Sequence, residues 1–490
     1  MLGRIKTFLS TYLNPTHKFT LITVTFIVKL IFFGLYFPAE IVTPGMLGIP
    51  GGDTESYFLP IENLLNGGGY IPDYRLPGYG LIYLALRLLF SKIIVYNALI
   101  VLQWIVSTLS IYYLAKSVWL VAKRTSLFHI TFFLHLFSTS TNVLDYYLLT
   151  ESFTTSSLIF SIYFLIQHLQ KGGNKFLLIS GSMICWGIFM RPVLLPILGI
   201  YSVIIIWHLY TQRVRPSVIL YSIFLMGLPF LIIDTAWIIR NYIQHNRIVP
   251  LTTTQYPLDL ELTYYNELMG FVIAWGGDRT WWKPDAEIRW FINNEKEFGP
   301  YTKDLPNNIY TAEFNRDSLL RIKELIKRIE DPTTDSIDRT QATNTVRMNL
   351  KKFTASIRQE KPFLFHFKSK VYLAQKFVVH SGTPFLFQTK FDELNDFKKI
   401  LKIGYSLLYV LVMTLGSMGI ILMLFKLKNL PVGFLLFPAL SLYLLLIHPF
   451  LGHVEFRYLV PTYPFMLVCT SYIIIFSLDK IRNRSIFSNN

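Results

Sequence analysis

The feature that most constrains this chain is a series of apolar runs near 20 residues long, spaced along almost its whole length. A run of that length spans the roughly 30 Å hydrocarbon core of a bilayer as a helix. A membrane-spanning backbone must satisfy its hydrogen bonds within itself, so repeated runs dictate a polytopic helical protein. Composition agrees: 52% of residues are hydrophobic and 16% aromatic. The expected class is an all-α polytopic membrane protein with about 10–11 transmembrane helices. Interfacial helices are expected in its first outer loop and a mainly helical segment outside the membrane.

The first run, residues 20–37, is long, contains Lys29 and lacks a small-x-small cleavage site after it, so it reads as a span and not a removable signal. Arg4, Lys6 and Lys18 precede it and place the N-terminus on the cytoplasmic side. Residues 38–78 then lie outside. Residues 79–90 are apolar but would cover only about 18 Å as a helix, too little to cross, and read as a helix in the outer interface. Spans follow at about 94–116, 125–140, 146–168, 176–195, 196–212 and 217–239, then at 400–425, 430–448 and 457–478. With 79–90 left outside, Lys116, Lys123, Arg124, Lys171, Lys175, Arg213 and Arg215 all fall in the cytoplasm, as do Lys426, Lys428, Lys480, Arg482 and Arg484. The boundary between the runs at 195/196 rests on Pro192 and Pro196.

Three regions result: an N-terminal membrane region, 1–244, whose first outer loop (38–92) carries candidate chemistry; an extracytoplasmic segment, 245–398; and a C-terminal membrane region, 399–490. The outer segment shows helix-like apolar spacing over 311–330 and 341–360. Residues 362–379, with Phe363, Phe365, Phe367 and Tyr372 among lysines, suit a helix lying on the membrane. The net charge of +16 is not a nucleic-acid signature, because 245–398 holds 20 acidic and 22 basic residues and the remaining excess sits in the membrane part and its short loops. Cys185 and Cys469 both lie in apolar runs, so neither a disulfide framework nor a cysteine metal site is expected.

This topology gathers polar residues at the outer face. Asp53 and Arg75 stand in the first outer loop, Asp145 and Glu151 at the outer end of the fourth span, and Arg191 near the outer end of a later one. Asp234, Arg240 and Asn241 end the span before the large segment, and His448, His453, Glu455 and Arg457 flank the last outer loop. Singly, Asp53 reads as a solvated loop acid and each arginine as an interface anchor. Several arginines and acids from well-separated spans point instead to a pocket for an anionic group. Arginine forks bind phosphate, and a carboxylate among them can take a proton from a hydroxyl. That combination suits displacement at a sugar carbon whose leaving group is a lipid phosphate.

The order of short motifs carries a resemblance. Asp53 and Tyr57 form an Asp-x-x-x-Tyr after the first span, followed by Arg-x-Pro-Gly-Tyr from Arg75 to Tyr79. Leu149-Thr150-Glu151 opens a span, and Arg191-Pro192 comes next. Trp237 to Tyr242 reads Trp-x-x-Arg-Asn-Tyr, and Arg457-Tyr458 begins an Arg-Tyr-x-x-Pro before the last span. Over residues 20–465 the chain resembles the GT-C class of integral-membrane glycosyltransferases, nearest to the bacterial relatives of protein O-mannosyltransferases and lipid A aminoarabinose transferases. It departs from that pattern at Ala236, where relatives often have Pro, and at the Leu-Pro after Arg75, where they often have a Pro pair.

The resemblance implies a polyprenyl-phosphate-linked sugar donor, an extracytoplasmic acceptor (glycan, lipid or protein), inversion at the anomeric carbon and residence in the plasma (inner) membrane. It matches Asp53 to the catalytic acid of the first loop, Glu151 to a second acidic position and Arg75 to a cationic position near the donor phosphate. Tyr57, Tyr79, Asp145, Arg191, Arg240, Asn241, Arg457 and Tyr458 complete the expected donor-phosphate and substrate-binding set. Membrane lipids are expected partners and nucleic acid is not. No cofactor is called for. His448, His453 and Glu455 are spaced poorly for zinc. Trp281 and Trp282 could stack a sugar, with interface anchoring or local packing favoured. A lipid-linked oligosaccharide flippase and a glycan ligase or polymerase are the alternative readings.

Overall fold

A computed structural model describes residues 13–36, 44–70, 75–246, 248–251, 264–292, 299–379, 381–387, 389–452 and 454–481. The described chain is an all-α polytopic membrane protein. It divides into two compact units: the first comprises residues 1–255, 381–443 and 460–490, the second 256–380 and 444–459.

The first unit opens with α1 (Lys18–Tyr36), the short pair α2 (Thr54–Leu65) and α3 (Gly78–Arg87), then α4 (Lys92–Ala122) and α5 (Thr125–Leu136). It continues through α6 (Glu151–Lys171), α7 (Asn174–Met190), α8 (Ile197–Thr211) and α9 (Pro216–His245). Six helical stretches among the described residues are long and apolar enough to cross a membrane: Lys92–Ala122, Pro192–Thr211, Pro216–Gln244, Asp396–Phe425, Val432–Phe450 and Tyr463–Ile481. Thr125–Leu136 and Asn174–Met190 are apolar but shorter.

Local chemistry explains where helix bounds differ from the apolar runs. The run at 125–140 yields a helix of 12 residues because Asn142 donates its side-chain amide to the carbonyls of His135 and Leu136, closing the helix end. The run at 146–168 starts its helix only at Glu151, because the backbone of 146–148 is committed to residue 49 and Thr54. The proline boundary is real: α7 stops at Met190, Arg191 is extended at φ −145°, ψ 101°, and a 3₁₀ turn over Pro192–Leu194 precedes α8. A residue before proline is driven out of helical conformation, which aims Arg191 away from the helix.

In this unit α6 packs on α7 and α4, and α7 on α9. A Cβ at Gly181 would meet the Met226 carbonyl at 2.1 Å, so glycine permits the α7–α9 approach. The C-terminal part adds α14 (Asp396–Phe425) packed on α16 (Tyr463–Ile481), while α15 (Leu436–Phe450) lies between them in sequence.

The second unit is built from α10 (Tyr265–Ala274), α11 (Arg316–Glu330), α12 (Ser336–Glu360) and α13 (Ser369–Val379), with a π turn over Leu364–Lys368 leading into α13. Asn315 caps α11 through the Ser318 N–H at 3.0 Å, and Asp335 caps α12 through the Ile337 and Asp338 N–H groups at 2.8 and 2.9 Å. Its core centres on Phe271, Phe291, Phe314, Val346, Leu350 and Ile357, with Trp281 packed at the edge. Residues 444–459, which begin inside the apolar stretch Val432–Phe450, group with this unit.

Candidate functional site

The segment before α2 is held to the segment before α6 by backbone pairing. The Ile49 N–H donates to the Tyr146 carbonyl at 2.8 Å, and the Leu148 N–H returns to the Ile49 carbonyl at 3.0 Å. Thr54 donates its hydroxyl to the Leu148 carbonyl at 2.8 Å. Asp53 precedes α2 but does not cap it. Its carboxylate meets Arg75 Nη2 at 2.7 Å. The same guanidinium donates from Nε to Ser56 Oγ at 2.9 Å and from Nη1 to the Tyr57 hydroxyl at 3.1 Å, and its carbon lies 4.4 Å from the Tyr57 ring centroid. Ser56 in turn donates to the Asp53 carbonyl at 2.6 Å. Asp53 and Arg75 side chains remain 25% and 19% exposed, so a ligand can reach the pair.

Tyr79 forms the floor of this pair. It is fully buried, sets its ring edge-on to Tyr57 at 5.5 Å and donates its hydroxyl to Gln103 at 2.9 Å. Gln103 then donates to the carbonyls of Asp145 and Tyr147 at 3.1 and 2.9 Å.

A second acid–arginine pair stands beside the first. Glu151 opens α6 and ion-pairs with Arg191, which also donates to Thr150 Oγ1 at 3.2 Å. Two close approaches at glycine, one to a side chain and one to backbone, join the pairs. A Cβ at Gly51 would meet Leu149 at 2.8 Å, and one at Gly78 would meet the Phe189 carbonyl carbon and oxygen at 2.6 Å. Thus the Asp53 strand of the loop abuts the lead-in to Glu151, and the Arg75–Gly78 turn abuts the residue two before Arg191. Glu151 is buried, and its Oε2 has no hydrogen-bond partner among the described residues. An uncompensated carboxylate oxygen inside a protein is costly and marks a place where a donor group can enter.

Asp145 is placed differently. It lies in a buried ion pair with Lys29 of α1 at 2.6 Å and accepts from Ser152 at 2.5 Å, while Lys29 also donates to Ser107 at 2.6 Å. Lys29 drew notice in the sequence only as a charge inside an apolar run; its partner, 116 residues away, was not legible. Gln103, Ser56 and Thr54 carried no sequence signal at all.

Arg240 and Asn241 anchor the chain as it leaves α9. Arg240 donates to the Tyr70 carbonyl and to Asn241 Oδ1 at 2.9 Å, and its guanidinium lies over the rings of Tyr70 and Trp237 at 5.6 and 4.9 Å. Asn241 donates to the Val249 carbonyl at 3.0 Å, Trp237 to the Leu251 carbonyl at 3.0 Å, and Asp234 accepts from the Leu251 N–H at 3.0 Å. Burial beside this cluster pushes the Tyr70 phenol up to about 12, opposed by the Arg240 charge.

Arg457 and Tyr458 belong to the second unit. Arg457 pairs with Glu455 at 2.9 Å, and Tyr458 stacks on His448 at 5.2 Å between ring centroids. His448 and Glu455 are therefore engaged with aromatic and cationic neighbours; His453, the third zinc candidate of the sequence, lies outside the described residues.

The structure brings together, within the first unit, Asp53, Tyr57, Arg75, Tyr79, Glu151 and Arg191 from four separated stretches of a polytopic helical membrane protein. No family model matches the chain, and no curated protein matches it.

Proposed function

We propose that this protein is an integral-membrane glycosyltransferase that transfers a sugar from a polyprenyl-phosphate-linked donor to an extracytoplasmic acceptor. The observation that carries this reading is the Asp53–Arg75 pair, a partly exposed carboxylate and guanidinium fork beside a second, buried acid–arginine pair, Glu151–Arg191. An acceptor hydroxyl placed against Asp53 gives up its proton to the carboxylate as its oxygen attacks the anomeric carbon. The bond from that carbon to the phosphate oxygen breaks, and the lipid phosphate leaves with the electron pair. Attack opposite the leaving group inverts the anomeric centre. Arg75 and Arg191 offer charge to the departing phosphate, a term that acts where negative charge develops. The lipid tail keeps the donor in the membrane, and a loop immediately after the first apolar helix is where its head group emerges.

Purified Asp53→Asn tests the reading in a transfer assay with polyprenyl-phosphate sugars. The expected result is a loss of turnover of about 10²–10⁴-fold with donor binding retained. Near-normal turnover in Asp53→Asn with loss only in Glu151→Gln moves the base to Glu151. A wild-type protein that binds such donors, moves them between leaflets and transfers nothing is a flippase, and the proposal fails.

A further inference from the structure

The second unit carries an outward apolar stripe that its own core does not use. Along the π turn and α13, Leu364, Leu373 and Phe377 face inward and are buried. Phe363, Phe367, Val371 and Val379 face outward at four- and eight-residue spacings, and the two phenylalanines are 66% and 59% exposed. The Phe363 and Phe367 ring centroids lie 5.4 Å apart. Exposed Lys368 lies beside the stripe with its ammonium 5.4 Å from the Tyr372 ring centroid.

One atomic contact ties this stripe to the end of an apolar span. Lys370 Nζ donates to the Phe450 carbonyl at 3.4 Å and lies 5.9 Å from the Phe450 ring centroid. Phe450 ends the apolar stretch Val432–Phe450, 19 residues long, about 28 Å as a helix and so about one bilayer core. The last residue of such a span lies at the edge of the hydrocarbon. Lys370 touches that residue, and Val371 and Phe367 flank Lys370, so the stripe begins beside the end of this span.

We infer that the face of Phe363, Phe367 and Val371 is seated in the lipid interface, with Lys368 on head-group phosphates. The occupant is the phospholipid surface itself. An outward apolar stripe with lysine at its border is the pattern of a helix lying in the interface plane, and lysine stems pack on apolar surface while the ammonium reaches phosphate. An apolar patch of this kind on a water-facing surface would favour self-association instead.

Site-directed nitroxides test the inference in the full chain, reconstituted in nanodiscs of zwitterionic and anionic phospholipid. Labels go at Phe363→Cys, Phe367→Cys and Val371→Cys, with Ile337→Cys, 79% exposed on α12, as the water reference. Cys185 and Cys469 are buried and do not compete for label. Collision with oxygen, which partitions into lipid, is compared with collision with a polar nickel chelate. The three stripe labels should show an oxygen-to-nickel ratio several-fold above that at 337, and Lys368→Glu should lower it toward the reference. Ratios equal to that at 337 overturn the inference. So do stripe labels shielded from both reagents, which would mean that protein covers the face, and so does indifference to Lys368→Glu. None of these outcomes depends on transfer activity, so they stand apart from the test of the glycosyltransferase reading.

Discussion

Arg75 holds Asp53 with one arm of its guanidinium at 2.7 Å and spends the other two nitrogens on Ser56 and Tyr57. The fork is therefore fully oriented before any ligand arrives. The carboxylate is pinned by a group that a phosphate can also engage, so in the proposed reaction donor binding and base release would be coupled through one side chain.

Arg75→Lys keeps the charge but loses the fork and two of the three hydrogen bonds. Transfer should fall by about tenfold or more, the scale of one charge-assisted hydrogen bond of about 1.5–3 kcal/mol. Thermal stability should change little, because the pair is partly exposed. Normal turnover of Arg75→Lys, measured with saturating donor, removes Arg75 from the site.

Arg191 and Arg240 should respond differently to lysine. Arg191 pairs with Glu151 Oε1, whose sister oxygen Oε2 has no partner among the described residues, and in the proposed reaction it is the expected phosphate contact. Arg240 stacks between Tyr70 and Trp237 and holds the Tyr70 carbonyl, so Arg240→Lys should loosen the C-terminal end of α9 before it touches binding. Donor titrations should show weaker binding in Arg191→Lys, while limited proteolysis near residue 251 should quicken in Arg240→Lys. Equal effects of both variants on both readouts would remove the distinction.

Lys29→Met leaves Asp145 buried and unpaired. Breaking a buried pair from one side costs about 3–5 kcal/mol. The thermal midpoint in detergent should drop clearly in Lys29→Met and in Asp145→Asn. Asp145 accepts from Ser152, next to Glu151, so activity should fall with it. A double-mutant cycle should show strong coupling; additive effects would mean that the pair does not act as a unit.

Glu62 joins α2 to α3 by accepting from Arg87 Nε at 2.8 Å and from the Tyr83 hydroxyl. Burial raises its pKa, but these hydrogen bonds and the Arg87 charge outweigh it and hold the carboxyl below its ordinary 4.5. The folded carboxyl is the stronger acid, so its contribution is complete above the ordinary carboxyl range and is lost as pH falls through the lowered value. Wild type should lose stability more steeply than Glu62→Gln below about pH 4.5. Parallel acid-unfolding curves for the two proteins would show that the pair contributes nothing there.

The side of the membrane can be read by labelling. Asn63→Cys and Lys303→Cys should react with an impermeant thiol reagent in intact cells, and Lys171→Cys should not, because the positive excess lies in the alternate loops. The reverse pattern inverts the topology.

Helix class was legible from the chain because a bilayer-length apolar run has few other fates, but of the roughly ten expected spans six stretches among the described residues are long and apolar enough to cross. The break at Pro192 and Pro196 was legible too, since proline acts on its immediate neighbours. The short turn at Arg75–Tyr79 was visible as a pattern of Arg, Pro and Gly, and so was the lead into Glu151. Tertiary structure alone decided which charge meets which: that Lys29 takes Asp145, that Arg191 takes Glu151, and that Arg240 is spent on Tyr70 and its own neighbour. It also grouped residues 444–459 with the second unit, which no local pattern in the sequence announces. The physical reason is range. Apolar periodicity and proline sterics act over a few residues and are written locally, whereas an ion pair forms between groups made neighbours by helix packing, and packing depends on every side chain along the interface.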